Sequence, residues 1–360
     1  MSPSSPPSAL ISLDHEECVI RRGRRSGVYT IVAVHSTALG PALGGCRMWR
    51  YESSADAARD ALRLSRAMTF KAAAAGLSLG GGKAVINAPP GPPPTGRARR
   101  AILEDFGDTV DVLEGHYWTA EDVGTSSRDM SVIAERTKYV TGQPRRSGGS
   151  GDPSPLTAIG VEAAMRASCQ HVFGSSALKG RTVAVIGAGR VGSRLARLLN
   201  KAGAKLLLAD IDDSKRALAR ELGNTRWTDP TTALLAEVDI VAPCALGGAI
   251  DEYNVSRLRA RIVCGSANNQ LAHEGLGEDL AAQGILYAPD FIANAGGLIN
   301  VATELDPEGY DPARTKRRVL GIEETMNHIY DDAEREKVPP VAAAYALARR
   351  RLSEAGTELH

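Results

Sequence analysis

Aromatic residues make up only 4% of this chain, and its five cysteines include no CxxC pair. Cys18, Cys46, Cys169, Cys244 and Cys264 are scattered and odd in number, which argues against a disulfide framework and against a zinc site. That usage fits a reducing cytoplasm, and a cytoplasmic location is expected. The seven histidines form no HExxH, so metal catalysis has no support. Charge of one sign is also missing: 43 basic residues face 42 acidic ones, a formal net charge of +1. Nothing there suggests nucleic acid or an anionic membrane as partner. No apolar run approaches the roughly 20 residues that span a bilayer. The start, MSPSSPPSAL, has neither the charged beginning nor the apolar segment of a secretory signal, and reads as a short disordered tail.

What is present is an ordinary globular composition, 43% hydrophobic and 24% charged. At 360 residues the chain exceeds one ordinary core, so two domains are expected. The most informative stretch is Phe70–Lys83, FKAAAAGLSLGGGK, with Lys71 and Lys83 in small, apolar surroundings. An ammonium there loses hydration and can become a base near neutral pH. The three glycines before Lys83 read as a loop that lets backbone approach a ligand. A phosphate-gripping loop does not fit, because Leu77 stands where its first glycine belongs and Ala84 where its Ser or Thr belongs.

Residues 143–155, QPRRSGGSGDPSP, form the clearest linker. Before it, residues 29–35 read as a strand, 54–69 as an amphipathic helix and 84–87 as a short buried strand. The Pro-rich run that follows reads as a stiff surface loop. After the linker, strands and helices alternate as in a parallel sheet covered on both faces. A strand at 181–186 leads into Gly187-Ala188-Gly189-Arg190-Val191-Gly192, a helix to about 202, and a strand at 205–210 ending in Asp210. This is a dinucleotide fingerprint in its proper setting. Gly187 makes the turn, Gly189 admits a pyrophosphate, and Gly192 lets helix and strand pack closely. Asp210 suits the ribose hydroxyls and repels a 2′-phosphate, which favours NAD over NADP, although Arg216 lies nearby. Asn268 and Asn269 follow another apolar strand and are either cofactor contacts or helix caps. Asn294, Gly296 and Gly297 fall in a turn before a later helix.

Taken together, HSTALGPALGGCRMW, FKAAAAGLSLGGGK, TAEDVGT, GDPSPLTAIGV, APCALGG, CGSANNQLAH and PDFIANAGG resemble the Glu/Leu/Phe/Val amino acid dehydrogenases, nearest the leucine and valine branch. The resemblance runs from about His35 to the C-terminal helices. It implies an N-terminal α/β substrate domain at 1–142, rejoined by helices at about 325–360. A Rossmann-type doubly wound domain for NAD is implied at 150–324, with a cleft that closes between the two. Homo-oligomers are implied as well.

Residue by residue, the resemblance implies Lys83 and Asp122 as catalytic and Lys71 as the grip on the substrate carboxylate. Taken alone, Asp122 could equally cap the next helix. Gly44, Gly45 and Asn294 are implied to lie against the substrate, and Leu43, Ala120, Leu298 and Val301 to line its side-chain pocket. Arg47, Thr157, Cys244, Ala245 and Asn268 are implied near the cofactor, besides Gly187–Gly192 and Asp210. The four apolar pocket residues exclude glutamate, whose carboxylate would be buried unpaired. Leu298 replaces the usual valine and is expected to favour smaller aliphatic side chains. The alternatives are an aromatic amino acid dehydrogenase, a relative that couples 2-oxo acids, and a catalytically silent NAD-binding regulator.

Overall fold

A computed structural model describes residues 14–356; the N-terminal tail read as disordered lies outside the described residues. The chain divides into two compact units. The first comprises the residues up to Thr69, Ser78–Val140 and the residues from Leu352 onward; the second comprises Phe70–Leu77 and Thr141–Arg351. No described helix is long and apolar enough to cross a membrane.

The first unit holds β1 (Glu17–Arg22), β2 (Tyr29–Ser36), β3 (Ala42–Trp49), most of α1 (Ser54–Ala74), β4 (Gly80–Asn87), α2 (Gly96–Asp111), β5 (Tyr117–Glu121) and α3 (Ser127–Ile133). Its five strands lie in the order β1-β2-β4-β3-β5, with β3 parallel to β4 and β5 and the β1–β2–β4 pairs antiparallel. Alternate residues of β2 face opposite ways, as strand periodicity requires. Ile31 and Ala33 meet Ala57, Ala61 and Leu62 of α1, whereas Val32 and Val34 join Phe106 and Val110 of α2. Ser53 starts α1 by accepting the Asp56 N–H at 3.1 Å. Of the basic run Arg21–Arg25, Arg25 pairs with α2: its guanidinium lies 2.9 Å from Asp105 and 2.7 Å from Asp108.

The glycines before Lys83 are not a loop. Gly80, Gly81 and Gly82 lie inside β4, which begins four residues earlier than the sequence suggests. A side chain there has no room. A Cβ on Gly81 would sit 2.0 Å from the Thr69 backbone nitrogen, and one on Gly82 2.5 Å from the Tyr117 ring. The glycines let strand, helix and ring close together around the lysine. Helix α1 also runs five residues beyond the expected end, so Lys71 is helical.

The second unit opens with α4 (Ser154–Phe173). Then follow β6 (Thr182–Ile186), α5 (Arg190–Lys201), β7 (Lys205–Ala209), α6 (Arg216–Glu221), β8 (Thr225–Thr228), α7 (Pro230–Leu234) and β9 (Ile240–Pro243). After them come β10 (Ile262–Val263), α8 (Leu276–Ala282), β11 (Leu286–Tyr287), α9 (Asp290–Ala293), α10 (Gly296–Ala302), α11 (Pro312–Leu320), α12 (Ile322–Glu336) and most of α13 (Pro340–Glu354). All six strands are parallel in the order β11-β10-β9-β6-β7-β8. The order reverses between β6 and β9, and that switch point is where such sheets bind ligands. The chain therefore has the two-unit α/β fold, with a doubly wound parallel sheet in its second part.

The division differs from the sequence reading at the C-terminus. Residues 325–351 group with the second unit, because α12 packs on α4, where the Ser168 and Tyr330 hydroxyls lie 2.7 Å apart. Within the linker, the Glu304 carboxylate accepts from the backbone N–H of Gly142 and of Ser150, each at 2.8 Å. Burial pushes that carboxyl up, against these hydrogen bonds.

Replacing Gly81 by alanine is expected to destabilise the protein by about 3 kcal/mol or more, since the new methyl meets backbone rather than a yielding side chain. Urea unfolding of the two proteins measures it.

Candidate active site

In the first unit, β4 carries Lys83 and the residue after β5 is Asp122. The Lys83 Nζ lies 2.6 Å from Asp122 Oδ2. Lys83 is only 6% exposed, while the Asp122 side chain keeps 23% of its surface open, so the pair is reached from the carboxylate side. Arg47 Nε stands 3.3 Å from the same oxygen, and its NH1 is 2.8 Å from Asp60. Burial pushes the Asp122 carboxyl up, but the Lys83 ammonium and the Arg47 guanidinium outweigh it and hold it at about 2. The helix-cap reading of Asp122 does not hold, because Ser126 accepts the Asp129 N–H at the start of α3.

Gly44 and Gly45 lie in β3. A Cβ on Gly44 would fall 1.7 Å from the Gly82 carbonyl oxygen, and one on Gly45 2.8 Å from the Asp122 Cβ. Tyr117 fixes the strand by donating to the Gly44 carbonyl at 2.6 Å. Leu43 on β3 and Ala120 on β5 are buried.

In the second unit a chain of amides begins at Lys71. Its Nζ donates to Asn294 Oδ1 at 2.5 Å, and Asn294 Nδ2 donates to Asn268 Oδ1 at 2.8 Å. Neither Asn268 nor Asn269 precedes a helix; Asn269 has a left-handed backbone with φ of 51°. Asp290, one turn before Asn294 on α9, accepts the Gln270 N–H at 2.9 Å. Burial pushes the Asp290 carboxyl up, against these backbone bonds and the Lys71 charge. Leu298 and Val301, three residues apart on α10, are both buried. Thr157 lies in the first turn of α4, and a Cβ on Gly297 would meet its hydroxyl at 2.7 Å.

The dinucleotide fingerprint occupies the switch point. Gly187 turns with φ of 104°, and a Cβ on it would meet Ala245 at 2.8 Å. A Cβ on Gly192 would fall 1.9 Å from the Gly187 carbonyl, whereas around Gly189 nothing lies within 4 Å. A turn that excludes side chains on one side and is open at the start of a twelve-residue helix fits a dinucleotide pyrophosphate. Arg190 and Val191 begin that helix. The Asp210 carboxylate accepts from the N–H of Ala188 at 2.6 Å and of Asp212 at 2.9 Å, so it is fixed at the end of β7. Cys244 and Ala245 close the other side of the turn, and burial pushes the Cys244 thiol up.

A model of the Glu/Leu/Phe/Val dehydrogenase dimerisation domain matches residues 15–139, and one of glutamate/leucine/phenylalanine/valine dehydrogenase matches residues 207–358. Residues 160–246 match the NAD binding domain of D-isomer specific 2-hydroxyacid dehydrogenases. The chain is 44% identical to leucine dehydrogenase of Geobacillus stearothermophilus, over 94% of this chain and 91% of that one. It is 45% identical to valine dehydrogenase of Streptomyces albus, over 95% and 93%. The crystal structure of L-tryptophan dehydrogenase from Nostoc punctiforme superposes with a TM-score of 0.81 at 38% identity, covering 95% of this chain and 97% of that one. The chain belongs to the Glu/Leu/Phe/Val dehydrogenase family. It is an NAD-dependent amino acid dehydrogenase.

Three neighbours of this family member's site are absent from the sequence reading. Asp60 and Tyr51 hold the far side of Arg47, with the Tyr51 hydroxyl donating to Asp60 at 2.7 Å. Ile211, 94% exposed directly after Asp210, is an apolar surface just past the end of β7. Its place beside an acidic strand end was a signal available from sequence alone.

The Asp122 pairing carries a pH signature. A carboxyl held below its ordinary value stabilises the fold fully above about pH 4, and that contribution is lost as pH falls through about 2. Acid unfolding of wild type should therefore lose about 2 kcal/mol over this window that Asp122→Asn does not lose.

Proposed function

We propose that this dehydrogenase oxidatively deaminates a branched-chain aliphatic L-amino acid to the 2-oxo acid and ammonia, and runs the reverse amination. The observation that carries the residue roles is the buried Lys83–Asp122 pair at 2.6 Å. Lys71 holds the substrate carboxylate, and Asn294, already accepting from Lys71, orients it. Bound NAD would supply a hydride acceptor for the substrate α-carbon, which would leave the substrate as an iminium. Lys83 then acts as base toward the water that adds to this carbon. Asp122 takes and returns the protons as ammonia leaves. The Lys83 charge is the main one that holds the Asp122 carboxyl down, so the two groups act as one unit.

Gly187, Gly189, Gly192 and the amides of Arg190 and Val191 serve the pyrophosphate, while Ala188 holds Asp210, which serves the ribose. Thr157, Cys244, Ala245 and Asn268 serve the remainder of the cofactor. Ile211 offers an apolar surface to the adenine. Arg47 serves Asp122, the residue it contacts. Leu43, Ala120, Leu298 and Val301 receive the side chain. All four are buried and apolar, which supports an aliphatic substrate such as those named for the leucine and valine relatives. Residues 15–139 match a dimerisation domain, which supports a homo-oligomer built through the first unit. The scattered, unpaired cysteines support a cytoplasmic setting.

The decisive assay follows NADH oxidation at saturating ammonia against the 2-oxo acids of valine, leucine, 2-aminobutyrate, phenylalanine, tryptophan and glutamate. Turnover of the branched-chain acids is expected; activity with the aromatic acids alone would overturn the pocket assignment. Lys83→Ala should lower kcat by about 10²–10⁴-fold, with NADH still binding. Leu298→Val should shift the leucine-to-valine ratio of kcat/KM toward leucine, within the about 1–3 kcal/mol that a methylene is worth.

A further inference from the structure

The last turn of α1 bears Lys71, and the carbonyls of Lys71, Ala72 and Ala73 accept from the N–H groups of Ala75, Leu77 and Gly76. Arg351, near the end of α13, adds a side-chain cap to the final two carbonyls of the helix. Its NH1 donates to the Ala73 carbonyl at 2.8 Å and to the Ala74 carbonyl at 2.7 Å. A guanidinium there also meets the negative end of the helix dipole. The chain turns away at Gly76, with φ of 68°, where a Cβ would lie 3.4 Å from the same nitrogen.

The same helix reaches the neighbour of Lys71. The Tyr345 ring lies edge-on to Phe70, with centroids 5.5 Å apart, and stacks on Phe291 at 4.9 Å. Phe291 belongs to α9, the short helix that ends at Asn294. One ring of α13 therefore bridges the residue before Lys71 and the helix that presents Lys71's amide partner. Contacts of this kind contribute about 0.5–1.5 kcal/mol beyond burial.

We propose that Arg351 and Tyr345 are positioning residues for the amino acid site. Together they fix the end of α1 against α9, so that the Lys71 ammonium keeps its register with Asn294. Neither touches substrate; both act through Lys71. The inference rests on the assignment of Lys71 to the substrate carboxylate.

The test compares wild type with Arg351→Met, Arg351→Lys, Tyr345→Leu and Tyr345→Phe. Steady-state kinetics for the amino acid and for NAD are combined with NADH binding by fluorescence and thermal melting. Arg351→Met and Tyr345→Leu should raise KM for the amino acid about tenfold, a cost typical of slight misplacement. The KM for NAD and the dissociation constant for NADH should stay within about twofold of wild type, well below the tenfold effect expected at the amino acid site. Arg351→Lys and Tyr345→Phe, which keep a cation and a ring, should restore much of the loss. An unchanged amino acid KM in folded Arg351→Met and Tyr345→Leu would overturn the proposal. So would equal rises for amino acid and NAD, which mark a general loss of structure. A wild type that turns over no amino acid would instead sink the functional reading beneath it.

Discussion

The first unit depends on one constraint, the absence of side chains where β3 meets β4. Gly44 faces the Gly82 carbonyl, Gly81 faces the backbone of Thr69, and Gly82 faces the Tyr117 ring. Any Cβ in this layer would separate the strands or displace α1. Because none is present, Lys83 sits deep in a central strand and emerges beside Asp122. A lysine so placed is expensive to bury unless a carboxylate meets it, and Asp122 does. The packing and the chemistry are thus set by the same three glycines.

The second unit solves a different problem, that of holding a polar relay in an apolar surrounding. Asn294 satisfies both ends of its amide, accepting from Lys71 and donating to Asn268, Ser266 and Ala267. Asp290, one helical turn earlier, takes the Gln270 N–H. The loop from Ser266 to Gln270 is therefore tied at both ends to α9, and the left-handed Asn269 lies between the ties. A network of this kind favours a single arrangement, because the loss of one member leaves a further buried group unpaired. It joins the residue assigned to the substrate carboxylate with one assigned to the cofactor.

The parallel sheet was legible because its signals are local: β6, the glycine turn, α5 and the acidic end of β7 follow one another within 30 residues. Lys83 stood out by its own surroundings, but Asp122 was singled out only through the resemblance, since 39 positions separate the two and strand pairing brings them together. The misreading of Gly80–Gly82 as a loop has a physical cause. Glycine marks both a flexible turn and a close approach of packed backbone, and only the neighbours decide which. Those neighbours, Thr69 and Tyr117, are distant in sequence. Asp60, Tyr51, Tyr345 and Arg351 carry no motif, because they act by contact with residues far along the chain.

The division of charge around Asp122 explains why Lys83 rather than Arg47 governs it. Arg47 could in principle fork onto the carboxylate with two parallel bonds. Instead Arg47 gives its NH1 to Asp60 at 2.8 Å and meets Asp122 through Nε at 3.3 Å. Asp60 is itself held by the Tyr51 hydroxyl and the Arg63 guanidinium, so it does not yield. Burial and the neighbouring Asp60 push the Tyr51 phenol up, which keeps it a donor. Arg47 is thereby spread between two anions, and the short contact belongs to the lysine. Asp122 therefore has one close cationic partner, the Lys83 amine at 2.6 Å, and one distant one, the Arg47 guanidinium at 3.3 Å, and burial strengthens the shorter contact most.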